Sequence, residues 1–413
     1  MHTPLITNDA VVLGILFAIL AFVFSTSNSS HPFWQKFYKY VPSLLLCYFL
    51  PSIFNSLGII SGEQSGLYKV ASRYLLPASL VLLCISIDMK GIMRLGPKAV
   101  IMFLAGTTGI ILGGPLAILI TKAIAPSIVE GSGADEIWRG MATIAGSWIG
   151  GGANQTAMKE VFQPSDKLFS MMIAVDVIVA NIWMAVLLYG AGIANKIDAW
   201  LKADSSSIEE VKNRIENYQL SVTKVPTLTD MIIVLSVGFI ATGISHFGAD
   251  FITPYIKEHA PQLEKFSFTS DFFWIVVIAT TLGLLLSFNT KVRALEGVGA
   301  SKMGSVLLYV LVATIGMKMD ITAIGSNPGL FLLGLIWMII HAAIMIIVAK
   351  IIKAPLFFLA VGSQANVGGA ASAPIVASAF HPSLAAVGVL LAVFGYALGT
   401  YGAWICAQLM SLI

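Results

Sequence analysis

Long apolar runs separated by short polar stretches organise this chain. A membrane crossing needs roughly 20 apolar residues. By that measure the first half carries transmembrane helices at residues 11–24, 41–60, 74–87, 98–120 and 168–193. The second half carries them at 231–247, 272–288, 304–317, 330–352 and 384–412. Two further segments, 141–159 and 355–379, are apolar but interrupted by glycine. They occupy the same place in each half, just before its last helix. The polar stretch 194–227 lies between the halves. Within it Ser206 and Glu209 have capping-box spacing, and Ile208, Val211 and Ile215 recur at helical spacing. That pattern predicts an amphipathic helix on the membrane surface or the bundle, with no chemical role. The chain therefore reads as a first membrane repeat (1–193), a cytoplasmic linker (194–227) and a second membrane repeat (228–413).

The first interrupted segment contains Gly146-Ser-Trp-Ile-Gly-Gly-Gly-Ala-Asn-Gln-Thr-Ala157. Three consecutive glycines each cost about 1 kcal/mol in a helix interior relative to alanine. The second contains Gly362-Ser-Gln-Ala-Asn-Val-Gly-Gly-Ala-Ala-Ser-Ala-Pro374. Both open Gly-Ser, and both carry Gly-Gly-Ala with a further Ala three or four residues on. A weaker match lies at the end of the third run of each half, Ile85-Ser-Ile-Asp-Met-Lys90 and Ile315-Gly-Met-Lys-Met-Asp320. Paired, glycine-interrupted segments in corresponding halves point to a transport site.

Loop charges bear on the topology. The loop with Lys90, Arg94 and Lys98 is basic and reads as cytoplasmic, as do those with Lys36 and Lys39, with Lys291, Arg293 and Lys302, and with Lys350 and Lys353. The loop with Glu130, Asp135 and Glu136 is acidic and reads as external. So does the 250–271 loop, with Glu258 and Glu264. Six crossings per half would contradict these assignments. Five crossings plus one re-entrant hairpin per half satisfy them and make the halves inverted. Irregular backbone at membrane depth is tolerated only when buried in protein or facing a water-filled cavity. The 141–159 segment is short for a hairpin, which favours the alternative of a broken crossing helix.

Composition narrows the class. Of 413 residues 57% are hydrophobic and only 11% charged, where a soluble domain carries about 25%. The expected class is an all-α polytopic membrane protein, whose surroundings are the lipid bilayer. The net charge of +3 gives no reason to expect a nucleic-acid partner. Cys47, Cys84 and Cys406 all fall in apolar runs and read as small buried side chains. The first run lacks a basic lead and a small-residue cleavage site, so it reads as a helix and not as a signal peptide. No Walker loop, His-Glu-x-x-His or Gly-x-Ser-x-Gly elbow is present. An enzyme is not expected, nor any cofactor beyond a bound sodium ion.

Candidate chemistry gathers at the interrupted segments. Two hairpins meeting near the midplane would bring helix N–H ends, which favour anions, and carbonyl ends, which favour cations. Ser147, Asn154, Gln155 and Thr156 in the first, and Ser363, Gln364, Asn366 and Ser372 in the second, are the substrate-binding candidates. Their alternative role is to satisfy broken backbone and pack helices. Asp176 stands inside the apolar 168–193 run, where a carboxylate is a functional hypothesis by default. It calls for a compensating cation, a sodium ion or an exchangeable proton. Asn181 is grouped with it, although five residues place it about 140° round the helix. His341 lies mid-helix and reads equally as a proton relay or a packing residue.

At 146–157 and 362–374 the chain resembles the YjcL-like family of integral membrane proteins, and the resemblance extends over most of its length. More distantly it is similar in architecture to sodium-coupled citrate and glutamate symporters, and to the bile-acid symporter and sodium/proton antiporter group. That similarity implies a scaffold with a moving transport domain, alternating access of the elevator type, a homodimer and a bacterial inner membrane. It implies no particular solute. The acidic pair of electrogenic antiporters is absent, because Val175 precedes Asp176. The second hairpin has no arginine of the kind that carriers of carboxylates use.

The expected function is secondary active transport of a small organic solute, anionic or zwitterionic, coupled to sodium or protons. The alternative is a sodium/proton antiporter in which Asp176 carries the exchanged ion. A third reading, an intramembrane enzyme, needs Asp176 and His341 within hydrogen-bond reach of each other.

Overall fold

A computed structural model of the chain describes residues 4–38, 41, 43–203, 225–319, 327–381 and 384–413. The linker residues Ser206, Ile208, Glu209, Val211 and Ile215, and Asp320 of the short repeat match, lie outside the described residues. Among the described residues there is no strand. In the first half the helices are α1 (Asp9–Ser27), α2 (Pro32–Tyr38), α3 (Ser43–Ser56), α4 (Leu67–Ile85) and α5 (Pro97–Ile124). They are followed by α6 (Ile137–Gly150), α7 (Gly152–Phe162), α8 (Asp166–Gly192) and α9 (Ala194–Leu201). The second half has α10 (Leu228–His259), α11 (Asp271–Ser287), α12 (Ala300–Gly316) and α13 (Gly329–Ile352). It ends with α14 (Leu356–Val367), α15 (Gly369–Phe380) and α16 (Ala385–Met410).

By length and composition, α1, α4, α5, α8, α10, α13 and α16 can each cross a membrane. With the shorter α3, α11 and α12, each half shows the same order: three helices, a long helix, a pair of short helices and a final long helix. The chain is an all-α polytopic membrane protein. Local chemistry sets several boundaries. Ser165 caps α8 by accepting from the Leu168 N–H, and Thr227 with Asp230 forms a full capping box at α10. Pro77 in α4 has no N–H to offer the Arg73 carbonyl four residues back. That carbonyl instead accepts from His246 Nε2 of α10 at 2.8 Å.

The corresponding helices of the two halves pack on each other in antiparallel sense. Along α5, Gly106 and Gly109 face His341, while the later Gly113 and Gly114 face the earlier Trp337 of α13. Gly304 at the start of α12 faces Ser79, Leu82 and Leu83 late in α4, and Met317 just past α12 faces Gly62 just before α4. Antiparallel counterparts are what an inverted repeat produces. The halves also interlock, for α4 packs on α10 and α11 of the second half, and its counterpart α12 packs on α1 and α3 of the first.

These contacts sort the helices into two groups. A frame is formed by α1, α3, α4, α10, α11 and α12. A second group, α5 to α8 with α13 to α16, carries the glycine-rich segments. Packing is more extensive within each group than between them. Glycine faces allow the close approach inside the second group. A Cβ at Gly362 would meet Phe103 N at 3.0 Å, and one at Gly395 would meet Ile149 O at 2.6 Å. Cys47, Cys84 and Cys406 are buried free thiols.

Candidate functional site

Both glycine-rich segments are hairpins. In the first, α6 ends at Gly150 and α7 begins at Gly152, and Gly151 between them has φ +78°, a conformation that favours glycine. The arms fold back so closely that a Cβ on Gly146 would meet Asn154 O at 2.6 Å. In the second, the chain turns at Gly368 and Gly369, the latter at φ +59°. Gln364 Nε2 donates to Ser372 Oγ across that turn at 2.7 Å. The arms are 14 and 11 residues long in the first hairpin and 12 and 12 in the second. None is long enough for a full crossing. The first hairpin is longer than the apolar pattern of 141–159 predicts, which removes the objection from its length.

One asparagine rivets each hairpin to a neighbouring long helix. Asn154 Nδ2 donates to Gly150 O and to Tyr396 O of α16, each at 3.0 Å, while its Oδ1 accepts from Thr400 Oγ1 at 2.8 Å. Asn366 Nδ2 donates to Gly362 O and to Phe103 O of α5, each at 2.9 Å, while its Oδ1 accepts from Thr107 Oγ1 at 2.7 Å. Both side chains are fully buried, with each amide hydrogen used. The Thr400 proton goes to Asn154, so the Thr280 hydroxyl of α11 donates to Thr400, at 3.1 Å, and extends the chain into the frame.

Helix α8 holds both hairpins from one face. Asp176 and Trp183 are seven residues, about two turns, apart. Asp176 accepts from Trp148 Nε1 at 2.7 Å and from Gln155 Nε2 at 2.8 Å, both of the first hairpin. Trp183 Nε1 donates to Ser363 Oγ of the second at 2.8 Å. Ser363 also meets His341 Nε2 at 2.8 Å, and His341 Nδ1 lies 3.1 Å from Gly106 O. A carbonyl can only accept, so Nδ1 carries the proton and the Ser363 hydroxyl donates to Nε2. Asp176 and His341 are not bonded to each other and share none of these partners.

The hairpin tips meet at a cavity of about 200 Å³. The first tip contributes Ser147, Gly151 and Gly152, and the second contributes Gln364, Val367, Gly368 and Ser372. Helix α8 adds Asp176, Val177, Ala180, Asn181 and Met184, and the frame adds Ser43, Leu44 and Tyr309. The cavity thus lies where the two groups of helices meet. Of the candidates named from the sequence, it brings together Ser147, Gln364, Ser372, Asp176 and Asn181. Asn181 reaches it despite its angular offset, with Nδ2 bonded back to Val177 O at 2.7 Å. Asn154, Gln155, Thr156, Ser363 and Asn366 do not line it, and position the hairpins instead. Thr156, for example, donates to Gly152 O within α7 at 2.9 Å.

Two polar features of the cavity bear on chemistry. Asp176 is the one formally charged group among its described lining residues. Gln364 is 1% exposed, and its Oε1 has no hydrogen-bond partner among the described residues. Hard cations take oxygen ligands. Side-chain oxygens on the described wall come from Asp176, Asn181, Ser147, Ser372, Gln364, Ser43 and Tyr309. Among the described residues no group of three or more His, Cys, Asp or Glu is placed to hold a metal.

Several participants are not among the site candidates that the sequence singles out. The two rivet sites share the pattern aromatic-x-x-Gly-Thr-x-Gly, Phe103 to Gly109 and Tyr396 to Gly402, a signal that was there to find. Lys159 is 4% exposed and pairs with Asp166 at 2.9 Å. Lys318 reaches the same carboxylate at 3.4 Å, and the Tyr68 hydroxyl bonds Glu160. This charged cluster joins the outer end of the first hairpin to the frame.

Comparison with known proteins agrees that the chain is a membrane protein. The model of the family described as "Protein of unknown function (DUF819)" matches residues 14–413. The Bacillus subtilis (strain 168) protein described as "Uncharacterized membrane protein YjcL" is 23% identical over 420 residues, covering 97% of this chain and 97% of the relative. The chain belongs to the DUF819 family and is an integral membrane protein.

Proposed function

We propose that the chain is a secondary transporter of a small organic solute, driven by sodium or protons. The observation that carries this reading is the central cavity, lined at once by both hairpin tips, Asp176 and the frame. A site at the boundary between two packed groups can be opened to either side by sliding one group past the other. The antiparallel counterparts and the paired hairpins fit such alternating access of the elevator type. The hairpin-bearing group would be the moving part and the frame the fixed one, in a homodimer in the bacterial inner membrane. Asp176 would take the coupling cation, as the one charge on the described cavity wall.

Thermal stability of the detergent-purified protein tests the reading, with and without sodium, against small acids, amino acids, sugars and amines. A ligand that binds the folded state raises its apparent stability by mass action. A solute-specific rise that depends on sodium or on pH is the expected result. Asp176→Asn is expected to fold and to lose the cation dependence. Unchanged cation dependence would remove Asp176 from the coupling site. Proteoliposomes that change internal pH on a sodium gradient alone, with no solute effect, would replace symport by sodium/proton exchange.

A further inference from the structure

We infer that the solute is a small zwitterion, with its carboxylate on the hairpin helix N-termini and its ammonium group on Gln364. The inference rests on the transport reading and deepens it.

Size comes first. A cavity of about 200 Å³ lies below the roughly 300–1,000 Å³ of pockets for drug-sized ligands, which suits a small metabolite. Charge comes next. Asp176 supplies one negative charge, and one coupling cation balances it. No lysine, arginine or histidine is among the described lining residues. A net anion would therefore meet no formally charged partner on the described wall beyond the partial charges of helix ends. The solute that fits is neutral overall.

The wall is nevertheless built for two opposite poles. Helices α7 and α15, of 11 and 12 residues, start at the cavity with Gly151 and Gly368 at their N-caps. Neither N-cap makes a side-chain capping bond. The first N–H groups of a helix have no intrahelical partner and carry partial positive charge. Two such ends, one from each hairpin, suit a carboxylate. An independent observation points to the other pole. Gln364 is buried on the same wall, spends Nε2 on Ser372 and leaves Oε1 without a partner among the described residues. An orphaned buried acceptor is unfavourable and asks for a donor. A solute ammonium group supplies one.

The test uses the full-length protein in detergent with sodium present. Each α-amino acid is compared with its 2-hydroxy acid, which lacks the ammonium, and with the amine that lacks the carboxylate. Sugars and dicarboxylates complete the panel. One or more amino acids are expected to raise the melting temperature, with both matched analogues binding at least tenfold more weakly. Gln364→Leu is expected to weaken amino-acid binding about tenfold or more, because a polar contact with the solute is lost. Gln364→Glu keeps an acceptor and is expected to retain binding, which covers the case in which the leucine variant fails to fold. If the 2-hydroxy acid, a dicarboxylate or a sugar binds as well as the amino acid, the zwitterion is overturned while the transport reading stands. If nothing in the panel binds, both fall.

Discussion

Asn154 in the first hairpin and Asn366 in the second make the same three hydrogen bonds, to a carbonyl four residues back and to a carbonyl and a threonine on a long helix. They do so from opposite arms, for Asn154 follows the glycine turn and Asn366 precedes it. Beyond the rivets the hairpins diverge. The first commits Trp148 and Gln155 to Asp176, and its outer end is tied to the frame through the Lys159 cluster. The second commits Ser363 to His341 and Trp183, and Asp198 of α9 accepts from the Leu356 N–H at its start. It also leaves Gln364 Oε1 without a partner among the described residues. The polar side chains of the first hairpin are spent largely on position, whereas the second leaves the Gln364 carbonyl oxygen uncommitted among the described residues.

The sharpest way to strain this comparison is to fill the glycine docks. A Cβ at Gly399 of α16 would lie 2.6 Å from Gly150 Cα, a backbone atom that cannot give way. A Cβ at Gly106 of α5 would meet Asn366 Nδ2 at 2.9 Å, the end of a side chain. Overpacking costs about 1–3 kcal/mol. Gly399→Ala is expected near the upper end and Gly106→Ala near the lower, measured by thermal unfolding in detergent. Equal losses would show that the two docks are equally tight.

Removing the rivets is the next test. Asn154→Leu removes the acceptor of the Thr400 hydroxyl, and Asn366→Leu removes the nearer acceptor of the Thr107 hydroxyl and leaves it Phe103 O at 3.3 Å. An orphaned buried hydroxyl costs about 1–3 kcal/mol in water-soluble proteins. Side-chain hydrogen bonds between membrane helices average nearer 0.6 kcal/mol. The expected loss is therefore about 1–2 kcal/mol for each variant, with the pair agreeing within about 0.5 kcal/mol. A larger difference would mean that one asparagine carries more than position.

The comparison also shows what the sequence could and could not disclose. Apolar run length and glycine spacing located the helices and both hairpins, because those features are local. Loop charge implied inverted halves, and the antiparallel packing of α5 on α13 agrees. Among the site candidates, burial and polarity alone could not separate Gln364, which faces the cavity, from Asn366 two residues on, which faces α5. That distinction depends on which side of a hairpin arm meets a neighbour, and the neighbour is more than 250 residues away in the chain. Lys159 was passed over for a related reason. Its partner Asp166 is near in sequence, but Lys318 and Tyr68 come from the frame.

That cluster carries the smallest and most discriminating prediction. Lys159 is buried, while Lys318 and Asp166 keep 25% and 38% of their side-chain surface exposed at a separation of 3.4 Å. An exposed pair of this kind contributes about 0–1 kcal/mol and is screened by salt. Lys318→Met should therefore cost about 0.5 kcal/mol or less, and the cost should shrink further at high ionic strength. Both lysines lie over the Tyr68 ring, but Lys159→Met should cost more, because it also removes the buried partner of Asp166 and a cation lying over the Phe169 ring. The two variants should part again in transport. Lys318 lies just past α12 of the frame, and Asp166 starts α8 of the hairpin-bearing group, so their contact must break if the groups slide. Lys318→Met should change the rate of solute uptake into proteoliposomes with little effect on solute affinity. If it instead destabilises the protein as much as Lys159→Met and leaves the rate untouched, the cluster is ordinary packing and the two groups do not part there.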